Sequence, residues 1–351
     1  YTGGTTIYGG TLTLGASNVL ADTGPVNVSG GTFDIASYSD TVGAITLSSG
    51  SITGTTGVLT GTGYSVTNSI GTTIISAKLA GAVSLTKSGA GSLTLSGTNT
   101  FTGAITVSNG VLAASNSNAL GTSAGGVTIS DGAQLSLSGG ITIADAIGVN
   151  GSGGGTGAIL NTSGNNTISG LMTMAGASTI GSTSGTLTFD VSSGDAITGT
   201  QNLTFTGAGN VTVEDPIATS TGTLTKNDAG TLTLKGLNTY TGITTINGGV
   251  LSVSILAAGG SPSGIGQSDN GADKLVIDGG TLKYIGVNTS TDRLFTIGAN
   301  GATIDSSGSQ SLTFSNTGSL VVTAASSPTL TLTGTNTTLA KLSSVLADPA
   351  T

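Results

Sequence analysis

The chain has 351 residues, a net charge of −8 at pH 7, and neither cysteine nor histidine. Only 7% of it is charged, against about a quarter in globular domains, and a mean hydropathy of +0.31 separates it from disordered chains, which are polar and highly charged. Disulfide scaffolds and Cys/His metal centres are therefore excluded, and the sparse acidic charge excludes the basic stripe that binds nucleic acid.

From the N-terminus onward the pattern is a short apolar alternation, broken repeatedly by Gly, Ser, Asn or Asp. Pairs in chain order include Leu12/Leu14, Ile45/Leu47, Leu93/Leu95, Ile105/Val107, Val127/Ile129, Leu135/Leu137, Leu187/Phe189, Leu203/Phe205, Val211/Val213, Leu232/Leu234 and Leu312/Phe314. Two apolar residues flanking one Thr or Ser place both on one face of a strand and the hydroxyl on the other. This predicts strands of about four or five residues, and no segment keeps a helical period for long enough to predict more than a trace of helix. No apolar run reaches the ~18 residues of a membrane helix, so membrane insertion of this segment is not expected; nor is a signal peptide visible. Gly-rich stretches at Asn150–Gly157 and Ala257–Gly271 read as loops bulging from a corner, since strand patterning resumes at once.

Such short strands suit an antiparallel sandwich or a parallel β-solenoid. Strand starts step by about eight residues from Val127 to Leu135, Leu203 to Val211, Leu224 to Leu232 and Ile304 to Leu312. Two or three steps make a coil, and strands this short are stabilised better by coils above and below than by hairpins. The sparse charge agrees, because coils stacked ~4.8 Å apart penalise columns of like charge. The expected architecture is one continuous solenoid over 1–351. Coils of roughly 20 residues would give about 17 coils and a rod on the order of 80 Å.

Internal repetition supports this choice. The phrase LTKSGAGSLTLSGTNTFTGAITVSNGVLAAS at 85–115 returns as LTKNDAGTLTLKGLNTYTGITTINGGVLSVS at 224–254, with 18 of 31 positions identical at an offset of 139. A partial copy occupies 1–14, placing Tyr1 level with Phe101 and Tyr240, and a partial echo covers 330–343. Opening in mid-motif, the chain is expected to be a piece of something longer. Within the phrase, Leu93, Leu95, Leu232 and Leu234 fill the core. Asn99 and Asn238 are expected at a sharp corner in the left-handed conformation, Phe101 and Tyr240 cover that corner, and Gly103 and Gly242 release the chain into the next strand.

The run G-x-L-T-L-x-G-x-N-T-[FY]-T-G-x-x-T-[VI]-x-x-G-V-L, at Gly91–Leu112 and Gly230–Leu251, resembles the autotransporter-associated β-strand repeat, also called the passenger-associated transport repeat. The resemblance implies a right-handed parallel β-helix in the passenger region of a very large bacterial surface protein, exported through the outer membrane and displayed outside the cell.

The inventory for chemistry is poor. No His or Cys offers a base or nucleophile at neutral pH, and Glu214 is the lone glutamate. Glu214 and Asp215 are adjacent and point to opposite faces of a strand, so they cannot flank one glycosidic bond. Asp190 and Asp195 are accounted for by turn capping, and Asp131–Gly132 and Asp278–Gly280 are isolated turns rather than tandem calcium nonapeptides. No residue is designated as catalytic, cofactor-binding or metal-ligating, no cofactor is implied, and no enzyme activity is expected. Outward Thr94, Thr106, Thr128, Thr188, Thr204, Thr212 and Thr233 invite comparison with flat hydroxyl ladders that bind ice, but Thr is also simply the best solvent-facing strand residue.

The expected function is structural: an extracellular stalk or self-associating fibre. Open strand edges at both ends, with no obvious polar cap, favour head-to-tail self-association. The alternative is an adhesin that binds a surface or host glycan through lateral loops near Asn150 or Ser261.

Overall fold

The computed structural model describes residues 3–323, 327–336 and 340–346, so Tyr1 and part of the closing echo lie outside the described residues. The chain is all-β. Among the described residues the only helical elements are single 3-10 turns at Gly153–Gly155 and Ala272–Lys274. Strands of successive coils pair in parallel and stack in register, which makes the fold a β-solenoid. Two compact units are distinguished, Tyr1–Gly170 and Leu171–Thr351.

In the first unit, one row of strands runs through Thr5, Val26, Ile45, Tyr64, Leu85, Ile105, Val127 and Ile147, each level with the next. The coil advances 21 residues from Thr5 to Val26 and 19 from Val26 to Ile45. A second row passes through Ser92, Val111 and Gln134, and a third, shorter row through Asp40, Leu59 and Leu79. The eight-residue step from Val127 to Leu135 is thus the passage from one row to the next within a coil.

Inward columns follow from this register. Val28, Leu47, Val66, Lys87, Val107, Ile129 and Val149 form one, and Leu93, Leu112, Leu135 and Ile159 another. The aliphatic members are buried, each contributing about 1.5–3 kcal/mol by leaving water.

The second unit repeats the scheme. Leu203, Leu224, Thr244 and Leu275 lie level, as do Val211, Leu232, Leu251 and Leu282. The step from Leu251 to Leu282 is 31 residues, because the coil carries the Ala257–Gly271 loop. Insertions of this kind lengthen the coil beyond the uniform 20 residues expected, so fewer coils fit the chain.

Strand length also departs from expectation. Most strands have two to five residues, but Val26–Asp34 and Ile45–Thr53 have nine and Met172–Ser182 eleven. Val26–Asp34 is two short strands run together: Val26–Val28 pairs with Thr5–Ile7, and Thr32–Asp34 with Thr11–Thr13. Shifts in its register against the following coil mark the bend between the halves.

The repeat glycines Gly103 and Gly242 act by proximity. A Cβ on Gly103 would sit 2.3 Å from the carbonyl carbon of Val83, and one on Gly242 2.2 Å from the carbonyl oxygen of Gly222. Backbone of the preceding coil occupies the space a side chain needs. Gly103→Ala is therefore expected to destabilise the chain by more than about 1 kcal/mol. Gly63→Ala, where a Cβ meets nothing within 4 Å, is expected to be neutral or stabilising by up to about 1 kcal/mol. Thermal unfolding of the two variants makes the comparison.

Candidate functional site

The asparagine and the aromatic residue of the repeat meet at the solenoid corner that follows the second row of strands. Asn99 and Asn238 are fully buried there, but neither adopts the left-handed backbone expected of them. Among described non-glycine residues that conformation belongs to Asn18, Ala36, Ser220 and Asp228. The asparagines work through their side chains instead. Asn99 Oδ1 accepts the Leu79 N–H at 2.8 Å, from the coil before, and Asn99 Nδ2 donates to the Ala119 carbonyl at 2.6 Å, in the coil after. Asn238 repeats this with the Ile217 N–H at 2.8 Å and the Gly264 carbonyl at 3.0 Å. A carboxamide has both a donor and an acceptor, so one side chain satisfies orphan backbone groups on two neighbours.

Phe101 and Tyr240 plug the same corner and are inaccessible to any ligand. Phe101 lies against Tyr64 with ring centroids 6.0 Å apart, and the Tyr64 hydroxyl donates to the Ala80 carbonyl at 2.6 Å. The Tyr240 hydroxyl shares a 2.9 Å hydrogen bond with Thr244 Oγ1, and burial pushes its titration upward.

The lysine in the repeated Leu-Thr-Lys was not anticipated as an internal residue. Lys87 and Lys226 occupy inward positions, Lys87 level with Val66 and Val107, and Lys226 level with Phe205 and Ile246. Their ammonium groups turn to carbonyls of the other corner, between the first and second rows. Lys87 Nζ donates to Gly89 and, at 3.3 Å, to Asn109. Lys226 Nζ donates to Asn227, to Asp228 at 2.8 Å and to Gly248 at 3.3 Å. Burial lowers the pKa of Lys87, and it lowers that of Lys226 to about 8 despite the opposing charge of Asp228. The signal was present in the alternation, since Leu85 and Lys87 share one parity.

The two loops differ in construction. In Asn150–Gly157, Gln134 Nε2 donates to Thr156 Oγ1 at 3.0 Å and to the Gly157 carbonyl at 2.8 Å. Ala257–Gly271 is held by Arg293, a fully buried residue that no pattern in the sequence marks. Its guanidinium donates to the carbonyls of Ala257 (3.1 Å), Gly266 (2.9 Å) and Ser261 (3.3 Å), and to Ser268 Oγ (2.9 Å). The Gly259 N–H donates to Asp292 Oδ1 at 2.7 Å. Ala258, Gly260, Ser261, Asp269 and Asn270 form the exposed tip.

The acidic candidates are dispersed. Glu214 pairs with Lys235 at 2.7 Å, while Asp215 accepts the Val191 N–H at 2.8 Å. Asp190 is exposed and Asp195 half-buried. Asp278 accepts the Asn300 N–H at 2.7 Å. Among the described residues no three acidic, His or Cys side chains cluster to hold a metal. The outward threonines do form short columns: Thr106 lies level with Thr128, and Thr212 with Thr188 and Thr233. Gly148 and Lys283 interrupt them, and Thr94 lies level with Ala113.

Asp145 is an outlier, a buried carboxyl whose pKa burial raises to about 6.

The structure is thus a parallel solenoid stapled at its corners by a recurring Asn-aromatic-Gly phrase. The passenger-associated-transport-repeat family profile matches residues 1–14, 85–114 and 224–253. The adhesin BmaC autotransporter of Brucella suis biovar 1 (strain 1330) is 35% identical over 252 residues, which is 71% of this chain and 6% of that protein. The chain thus spans a small part of the length of this curated relative. No solved structure matches it. The chain thus carries passenger-associated transport repeats, and it is an autotransporter-type passenger segment displayed at the bacterial cell surface. No helix among its described residues is long and apolar enough to cross a membrane.

Two outcomes follow from the corner chemistry and from Asp145. Asn99→Ala leaves the Leu79 N–H and the Ala119 carbonyl buried without partners and is expected to cost about 2–5 kcal/mol. The exposed Asn109→Ala serves as control in the same urea titration. Asp145 binds its proton more tightly in the folded chain (about 6) than at its ordinary value of 3.8, so its contribution to stability is full below 3.8 and is lost as pH rises through 6. Asp145→Asn is expected to stabilise the chain at pH 7.5, by up to about 3 kcal/mol, with the difference closing as pH falls towards 4.

Proposed function

We propose that this segment is a structural stalk, whose work is to hold other parts of a surface passenger away from the cell. The observation that carries the reading is where the repeat spends its polar residues. Asn99, Asn238, Lys87 and Lys226 all bind backbone groups of their own and adjacent coils. Backbone ladders and corner staples along the coils suit a part that bears load rather than one that binds a small ligand.

Adhesion is the second reading, favoured by the adhesin name of the relative and by the build of the Ala257–Gly271 loop. A loop already fixed by Arg293 loses little conformational freedom on meeting a glycan or another surface. Cells displaying the passenger with tip substitutions Ser261→Lys and Asn270→Lys separate the two. Unchanged attachment to host cells or glycan-coated surfaces supports the stalk; lost attachment, with the solenoid still folded by circular dichroism, transfers the role to the loop.

Head-to-tail assembly is a further part of the structural reading, supported by parallel strands that stack coil on coil. Electron microscopy of the purified chain at rising concentration is expected to show filaments with a ~4.8 Å axial repeat. Discrete particles at every concentration reject assembly and leave a monomeric segment.

A further inference from the structure

We propose that each full copy of the repeat is a mechanical stop, which holds three successive coils together when the solenoid is pulled open from a chain end. A solenoid ordinarily yields one coil at a time, because each coil contacts only its neighbours. At the first copy that sequence is interrupted. Asn99 ties Leu79 in the preceding coil to Ala119 in the following one, and Lys87 ties its own corner to Asn109 beyond. Peeling off either outer coil leaves a buried carboxamide or ammonium group short of its partner, so the three coils resist as a unit.

The comparison with other corners sharpens the point. Asp40 reaches only backwards, its Oδ2 accepting the N–H groups of Val19 at 2.9 Å and Leu20 at 3.2 Å. A carboxylate has no donor to extend forwards. Asn166 accepts the Ile141 N–H at 2.8 Å, but its Nδ2 turns back to Asn161 and to the Ser163 carbonyl in its own coil. Among these corners, the forward and backward links together occur at Asn99 and Asn238, the two full repeat copies, and in both the same coil carries a buried lysine at its preceding corner.

The second stop is built further. Gly264, whose carbonyl accepts the hydrogen bond from Asn238 Nδ2, belongs to the loop that Arg293 locks from a later coil. Release at Asn238 therefore also requires the guanidinium to give up its carbonyls, and the second stop holds longer than the first.

The test is constant-force extension of the full chain between its termini in an optical trap. Loss of a 20-residue coil, the spacing between Asn99 and Leu79, lengthens the tether by roughly 70 Å, so positions along the chain are resolved. The expected record has two pauses, at extensions that map to the coils around 79–119 and 217–264, the latter longer. Asn99→Asp keeps the acceptor for Leu79 and removes the donor to Ala119, converting the corner to the Asp40 type. It is expected to abolish the first pause and leave the second. Asn238→Asp gives the reciprocal result and stands in if the first variant does not fold. Wild-type extension without pauses at those positions, or pauses unmoved by both substitutions, overturns the proposal.

Discussion

The structure depends on the stacking of backbone on backbone at the spacing of a parallel β-ladder. With neighbours ~4.8 Å away above and below, each residue repeats the environment of its counterpart one coil earlier. That constraint explains the composition. Columns of like charge are avoided, hydroxyl side chains dominate the outer face, and Gly103 and Gly242 are glycines because the preceding coil occupies the place of a Cβ. The interior is an aliphatic column rather than a broad core, so apolar burial is set by register and not by tertiary packing of separate elements.

Corners are where this arrangement is weakest. A chain that changes direction leaves N–H and carbonyl groups outside any ladder, and burial makes each of them costly. The repeat answers with devices at two corners of one coil: a lysine before the second row, whose stem fills the column while its ammonium caps carbonyls, and after that row a carboxamide that serves two coils beside an aromatic plug. Burial depresses the pKa of Lys226 to about 8, the direction expected when a charge is put inside. The ammonium in return satisfies carbonyls that the turn leaves outside the ladder.

The fold was legible in the sequence because its signal is periodic. Alternation at Leu93/Leu95 and Val127/Ile129 gives strands, and the step from Val127 to Leu135 gives the turn from one row to the next. The 139-residue offset adds the repeat. Handling of the corner was less legible. Asn99 after a glycine suggests a left-handed turn, yet only the neighbouring coils, 20 residues away on each side, reveal what its side chain bonds. Arg293 was hidden for the same reason: its partners lie 24 to 36 residues back, in a loop with no pattern of its own. Lys87 is masked by the general tendency of lysine to face water, although its parity places it inside.

The internal cations have another consequence for a protein exposed outside the cell. Of eight lysine and arginine residues, Lys87, Lys226 and Arg293 are buried. Proteases that cut after basic residues must bind an extended, accessible segment, and at these three positions the chain offers them a stacked strand or corner with the side chain turned inward. Using its scarce positive charge as internal fastening, the passenger also withdraws it from one of the commonest classes of digestive enzyme.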